Sequence, residues 1–488
     1  MERESGGPAG LGPASAAAEP APTRVRSALP ELCWPAVPTP HASQCLALLR
    51  QLDETQWWPP ERLAAAQRAQ LGLLLDHAAR TLPFYRARLA SAGFEPGMRL
   101  TDAIWRRIPI LARAELQAVD GTLKSDDLPP GHGKLGKVVT SGSTGRPVSA
   151  HTTETSRLFW AAITLREHVW QRRNLRGKLA VIRNFDLHGN GEAEREERRG
   201  PNWGRPAAVV FETGPAVGLS ITTTTARQAE WLIREQPDYL LTFASAAQSL
   251  AEHFLARGLA LPSLQQLRTI SEAVTPELRA AARAAWNVAV VDVYSAQETG
   301  YLALQCPEHE HLHLQSEVAL VEVLDDDWRP TPPGRTGRVV VTPLHNLATP
   351  LIRYELGDLA EVGPPCPCGR GLPVVTRVFG RYRNMLTLPS GDRVWPRLRE
   401  DRYTDVAPVR QFQVVQKSTE QLEVRLVVDR PLTAEEESAI GKIIVDRLGH
   451  TFRLDFTYHD QIPRSPSGKF EDFKSEIAAG GPAPGRAS

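Results

Sequence analysis

Apolar and polar positions alternate in three textures along the chain, and each texture predicts a different kind of unit. Residues 63–75 carry apolar side chains at helical spacing behind Pro59-Pro60, which predicts a helix started by proline. Residues 110–118 predict another. From Lys178 the pattern changes to short β-branched runs alternating with helical stretches. Strands are expected at 178–182, 207–211, 239–243, 267–270 and 288–293, with helices at 226–235, 246–257 and 276–286. Such alternation implies a parallel sheet covered on both faces. The charge run 192–199 reads as a solvated loop. A second texture spans 318–388, where strand-like 318–324 and 338–342 flank the turn-rich Pro330-Thr331-Pro332-Pro333-Gly334. This predicts a more antiparallel, barrel-like subdomain. The third begins near 383: strands at 411–416 and 422–428, a capping box from Thr433 and Glu436 opening a helix to Leu448, and a closing strand at 452–458.

The expected fold class is therefore α/β. A large N-terminal domain holds parallel-sheet α/β subdomains and a barrel-like subdomain, and a small mobile α+β domain follows. The boundaries expected are a disordered leader at 1–28, the large domain at 29–382, the small one at 383–477 and a flexible tail at 478–488. With 488 residues the chain is too long for a single simple core. A net charge of +1 and 42% apolar residues argue against nucleic acid or an anionic membrane as partner. No apolar run reaches transmembrane length, and no basic start with an apolar segment behind it marks a secretory signal. A cytoplasmic monomer or homodimer is expected. The cysteines are five, an odd number that does not suit a disulfide framework.

Five stretches carry candidate chemistry. After an apolar run, Thr140, Ser141, Gly142, Ser143, Thr144 and Gly145 offer backbone N–H groups and hydroxyls without bulk, which suits a polyphosphate. No Gly-Lys-Ser/Thr follows, so the loop is not a Walker A motif. Tyr294 to Gly300 follows a buried strand, so its polar side chains emerge where open parallel sheets bind ligands. Glu298 there could hold Mg²⁺, and Tyr294 could stack on a flat ring. Asp358 ends the apolar segment 351–358 and could accept from two ribose hydroxyls. Arg381, after Gly380, could pair with phosphate. Lys469, in the polar stretch 463–470, could bring a cation to a developing negative charge.

Taken in order, Thr140-Ser-Gly-Ser-Thr-Gly, Tyr294…Glu298, Arg353-Tyr-Glu-Leu-Gly-Asp358, Gly380-Arg381 and Ser467-Gly-Lys469 resemble the motifs of the adenylate-forming superfamily. The nearest likeness is to phenylacetate–CoA ligase and its capsule-biosynthesis and deazaflavin-adenylating relatives. Leu82-Pro-Phe-Tyr85, Cys366-Pro-Cys-Gly-Arg-Gly-Leu-Pro373 and the segment around His313 resemble that branch in particular. The likeness covers roughly residues 48–473.

The resemblance implies ATP-dependent activation of a small carboxylic acid, aromatic or apolar, as an acyl-adenylate with release of pyrophosphate. Thioester formation with coenzyme A then follows. Nucleotidyl transfer to a non-carboxylate acceptor is the alternative, and a nucleotide-binding pseudoenzyme is a third, which retention of Glu298 and Lys469 disfavours. In the family, Thr140 to Gly145 would hold the phosphates, and Ser271, Glu272 and Ala273 would lie along the adenine. Tyr294 would stack on the adenine, with Ser295 beside it in the nucleotide site, and Asp358 would take the ribose hydroxyls. Glu298 would bind Mg²⁺, Arg381 would sit near ribose and phosphate, and Lys469 would bridge carboxylate and α-phosphate. The C-terminal domain would rotate at Arg383, where many relatives carry Asp. Two departures stand out: Val148 follows Arg146-Pro147 where many relatives have lysine, and Tyr382-Arg383-Asn384-Met385 lacks the paired Asp of phenylacetate–CoA ligases. An acyl pocket is expected near Trp203, 211–214 and 243–245. Finally, Cys306, His313, Cys366 and Cys368 form a Cys₃His set suited to structural zinc, with His309 and His311 competing for the fourth place.

Overall fold

The computed structural model describes residues 24–32, 34–119, 123–139, 148–185, 196–381, 384–394, 396, 398, 403, 406–465 and 468–477. Thr140 to Gly145, Arg383 and Ser467 lie outside the described residues. The centre of the chain forms a six-stranded sheet in the order Glu197–Gly200, Ala216–Ser220, Leu179–Arg183, Tyr239–Phe243, Gln266–Ile270, Ala289–Val291. All neighbours run parallel except the antiparallel edge strand Glu197–Gly200. Leu240, Leu267, Ile182 and Leu219 lie fully buried between helices Thr225–Glu235, Ala244–Arg257 and Pro276–Trp286. That is the covered parallel sheet expected from the strand–helix alternation.

Two expectations fail here for local reasons. Residues 207–211 are not a strand. Ala207–Val210 is a one-turn helix behind Pro206, where two alanines favour helix over sheet and Phe211 turns into a buried cluster with Ala42 and Leu165. The strand in that part of the sheet is Ala216–Ser220. The acidic–basic run is not all loop either: Glu197 pairs with Arg227 at 2.5 Å and Arg234 at 2.6 Å, so its charges fasten an edge strand to a helix. Residues 24–28, placed in the leader by composition, pack onto the domain through the Arg26 amide and the Val210 carbonyl at 2.8 Å.

A seven-stranded antiparallel sheet follows in the order Ala319–Leu324, Thr336–Pro343, Tyr354–Val362, Val374–Arg381, Leu312–Leu314, Gly300–Gln305, Val293–Ala296. Its core is shared with helices Pro60–Thr81 and Pro83–Ser91. The Tyr85 hydroxyl donates to the Pro350 carbonyl at 2.6 Å and accepts from the Ile352 amide at 3.1 Å. Arg353, buried and at φ 50, donates to the Ile108 carbonyl at 2.8 Å and pairs with Glu322 at 3.1 Å. These two side chains fix the segment that leads into the Tyr354–Val362 strand.

The C-terminal domain is a four-stranded sheet in the order Arg453–Tyr458, Gln421–Val428, Val409–Gln416, Phe473–Ser475. Helix Ala434–Leu448 covers it. Thr433 and Glu436 close the capping box at its start, and Ile440, Ile444 and Leu448 form its buried stripe. The connection between the two outer strands, Arg453–Tyr458 and Phe473–Ser475, carries Lys469. No helix among the described residues is long and apolar enough to cross a membrane.

Candidate functional site

Strands Leu179–Arg183, Tyr239–Phe243 and Gln266–Ile270 run parallel, so the residues that follow them share one edge of the sheet. Asn184, Ser245 and Ser271 to Ala273 stand there, and the antiparallel sheet brings Tyr294, Asp358 and Arg381 to the same place. Asp358 faces Arg381 across the ladder between Tyr354–Val362 and Val374–Arg381. Its Oδ1 lies 3.3 Å from Arg381 Nε, and its Oδ2 accepts from the Tyr294 hydroxyl at 2.8 Å. Gly357 sits at φ +83, a left-handed backbone conformation that favours glycine, and a Cβ there would meet Arg381 Nη1 only at ordinary contact distance, 3.4 Å. Burial and the adjacent Asp358 carboxylate push the Tyr294 phenol well above the usual range, so it stays a hydrogen-bond donor. Ser295 follows within strand Val293–Ala296.

Glu298 is buried at 5% exposure, and its Oε1 has no hydrogen-bond partner among the described residues. The Arg113 guanidinium stands 3.7 Å away and also donates to the Tyr354 hydroxyl at 3.3 Å. Arg113 balances part of the charge on this oxygen but gives it no hydrogen bond, which leaves its lone pairs open to a second cation. The carboxylate's chemistry fits Mg²⁺, which binds through one or two carboxylates together with substrate phosphates. Arg113 had no signal in the sequence: it enters from helix Arg113–Ala118, 185 positions before Glu298.

Lys469 reaches this cluster from the C-terminal domain. Burial and Arg381 lower the affinity of its amine for a proton, while Asp358, Glu272 and Glu298 raise it. All four groups are close enough to act on its charge. The turn beneath it is closed by Ser465 N donating to Lys469 O at 2.8 Å and Gly468 N donating to Ser465 O at 2.8 Å. Gly468, at φ +87, packs against the Phe243 ring, where a Cβ would come to 3.1 Å. Glu272 does something the sequence did not suggest. Its carboxylate accepts from Ser245 N at 2.7 Å and Phe470 N at 2.8 Å, which ties the sheet edge to the lysine loop. Ser271 beside it is exposed at φ 68, and Ala273 is half-buried.

The pocket walls need correction. Trp203 donates to the Gly177 carbonyl at 2.8 Å and packs on Tyr239, while Gly214 abuts the carbonyls of Arg176 and Gly177. Those are the entrances of the strands, the edge opposite the site. Of the expected walls, only 243–245 lies at the correct edge. The misplacement follows from reading 207–211 as a strand.

A second constellation stands apart. Cys306, His313, Cys366 and Cys368 put one ligand atom each within 4.8 Å of one another. The Cys306 and Cys366 sulfurs are 3.9 Å apart, and Cys368 Sγ is 3.4 Å from His313 Nε2. A zinc tetrahedron with bonds of about 2.0–2.3 Å has edges of this size. His313 Nδ1 lies 3.2 Å from the Leu372 carbonyl, which favours a proton there and turns the Nε2 lone pair toward the thiols. His309 and His311 are not part of this set.

Residues 391–476 match the CapK C-terminal domain family. Over 464 residues the chain is 25% identical to the phenylacetate-coenzyme A ligase of Thermus thermophilus, covering 85% of this chain and 97% of that protein. The fold superimposes on 2-hydroxyisobutyryl-CoA ligase in its postadenylation state with R3-HIB-AMP. There the TM-score is 0.64 at 21% identity, over 83% of this chain and 88% of that one. These likenesses support the phenylacetate–CoA ligase-like branch of the adenylate-forming superfamily. Against the same 2-hydroxyisobutyryl-CoA ligase in the thioesterification state the TM-score is 0.53, at 22% identity over 84% and 90% of the two chains.

Proposed function

We propose that the protein activates a small carboxylic acid with ATP and then transfers the acyl group to coenzyme A. The observation that carries this reading is that Glu272, accepting from Phe470 N at 2.8 Å, holds the Lys469 loop of the small domain at the sheet edge where Asp358 pairs with Arg381 at 3.3 Å. A carboxylate and a triphosphate repel each other, and a desolvated cation between them lowers the barrier where charge concentrates. In the first step a carboxylate oxygen attacks the α-phosphorus, the bond to the β-phosphoryl oxygen breaks, and pyrophosphate leaves. In the second, the coenzyme A sulfur attacks the acyl carbon, AMP departs with the bridging oxygen, and the thiol proton passes to solvent.

Within this reading, Asp358 accepts the ribose hydroxyls, Arg381 pairs with phosphate and Tyr294 lies along the adenine. Glu298 holds Mg²⁺, which neutralises the departing pyrophosphate when bound. The Thr140 to Gly145 loop cradles the phosphates. A flat or apolar acid is supported by Phe243 at the sheet edge and by Trp160, which is 39% exposed and packs beside Tyr301 at 4.6 Å. The Cys306, His313, Cys366 and Cys368 set holds a zinc that pins two loops together and takes no part in the chemistry.

A panel of aryl, aliphatic and amino acids assayed for ATP–pyrophosphate exchange tests this. At least one acid should support exchange, and Lys469→Ala should lower it by about 100-fold or more. Exchange undiminished in that variant would remove Lys469 from the mechanism. Pyrophosphate release that needs no carboxylic acid would instead favour nucleotidyl transfer to another acceptor.

A further inference from the structure

Helix Ala244–Arg257 begins at the carboxyl end of strand Tyr239–Phe243, and its N-cap residue, Phe243, has no side chain that could satisfy the first amides. Glu272 reaches across from the end of the next strand and does so in its place, accepting from Ser245 N at 2.7 Å. A helix N-terminus favours a carboxylate, so this half of the contact belongs to the large domain alone. The second oxygen accepts from Phe470 N at 2.8 Å, the amide directly after Lys469. Arg464 completes the contact: Nη1 donates to the Ser245 hydroxyl at 3.0 Å and to the Gly468 carbonyl at 3.1 Å, and it lies 3.8 Å from Glu272 Oε1. The Glu272 side chain is 7% exposed, so little water competes for either oxygen.

We propose that Glu272 is a positioning residue that clamps the Lys469 loop to the sheet edge for adenylation and releases it for the second step. One oxygen keeps its helix amide in both arrangements. The other is bonded only while the small domain holds Lys469 in the site. The contact is therefore a two-state element: it biases the domain equilibrium toward the arrangement described, and rotation must break it. Arg464 strengthens it from the mobile side. The inference deepens the function proposed above and rests on it for its catalytic meaning, whereas the contact itself can be measured without any acid.

Amide hydrogen exchange on the full-length protein, with and without ATP, reads the clamp directly. In Glu272→Ala, peptides covering 243–248 and 464–477 should both exchange faster, by about tenfold or more. In Arg464→Ala only 464–477 should do so, because the helix keeps its carboxylate. Glu272→Gln retains one acceptor but turns an NH₂ toward an N–H donor, so it should loosen the loop as well. Its melting curve, alongside that of Glu272→Ala, shows whether each variant is folded. Protection of 464–477 unchanged in both folded Glu272 variants overturns the proposal. With an acid that supports exchange, Glu272→Ala should lower ATP–pyrophosphate exchange about tenfold more than thioester formation from supplied acyl-adenylate. An equal fall in both steps overturns the positioning role. If no acid supports exchange, the functional reading fails while hydrogen exchange still decides the clamp.

Discussion

Burial and the neighbouring Arg381 guanidinium push the Lys469 amine below the usual lysine range, against the pull of Asp358, Glu272 and Glu298. The sign has a functional consequence. A lysine that bridges two anions must be protonated, so activity that depends on it is lost as pH rises through its lowered pKa. An ATP triphosphate in the site adds negative charge beside the amine and raises the same pKa again. For the first half-reaction, kcat/KM for ATP should therefore fall on an alkaline limb below the ordinary lysine value of about 10.5, and the limb in kcat should lie at higher pH. Lys469→Arg, which stays charged, should lose the limb while reacting more slowly. An unchanged alkaline limb in that variant would assign it to another group. Lys469, Tyr294, Glu298, Asp358 and Arg381 could be named as candidates from the sequence, because they sit in ordered motifs at strand ends and loops, and the fold brings them to one sheet edge. Glu272 as a clamp and Arg113 as the neighbour of Glu298 could not be named in this way. Their partners are a backbone amide 198 positions away and a side chain 185 positions away, and nothing in local spacing encodes either.

At the scale of elements, strands with branched or aromatic runs and helices with polar caps were readable because local preference and burial agree there. Tyr239–Phe243 and Ala434–Leu448 are examples. Ala216–Ser220 went unread: its Gly218, packed under the Phe185 ring where a Cβ would reach 2.6 Å, gives no strand signal of its own. The cysteine set was legible as a ligand type, although spacing alone could not choose among three histidines. The family likeness of Leu312-His313-Leu314 pointed to His313, and the strand pairing of Leu312–Leu314 with Val374–Arg381 buries that histidine beside the Cys366-Pro-Cys368 turn. The zinc proposed there would join the end of strand Gly300–Gln305 to the start of strand Val374–Arg381, the strand that ends in Arg381. Purified protein should contain about one zinc per chain, and Cys366→Ala should lower the melting temperature by roughly 5 °C or more. Lys469 chemistry at low temperature should survive that change. Metal analysis finding no zinc in freshly purified protein would end the assignment.

For the whole molecule, the division into a large and a small domain follows from the change of texture near residue 383. Their relative placement does not, because it rests on contacts between residues far apart in sequence; among the described residues these include the Glu272 and Arg464 bonds and the packing of Gly468 on Phe243. A junction of polar bonds at a sheet edge can exchange one arrangement for another. In the proposed function, thioester formation needs the Lys469 loop to leave, since the loop would occupy the edge where the acyl-adenylate forms. Arg383, outside the described residues, is the hinge proposed from the resemblance. Proline there would fix φ near about −65° and remove the rotation that the second step requires. Arg383→Pro should therefore keep ATP–pyrophosphate exchange within about threefold of the parent while slowing thioester formation from supplied acyl-adenylate by about tenfold or more. Equal loss of both half-reactions would place the pivot elsewhere, and full retention of both would mean that the two steps share one arrangement of the domains.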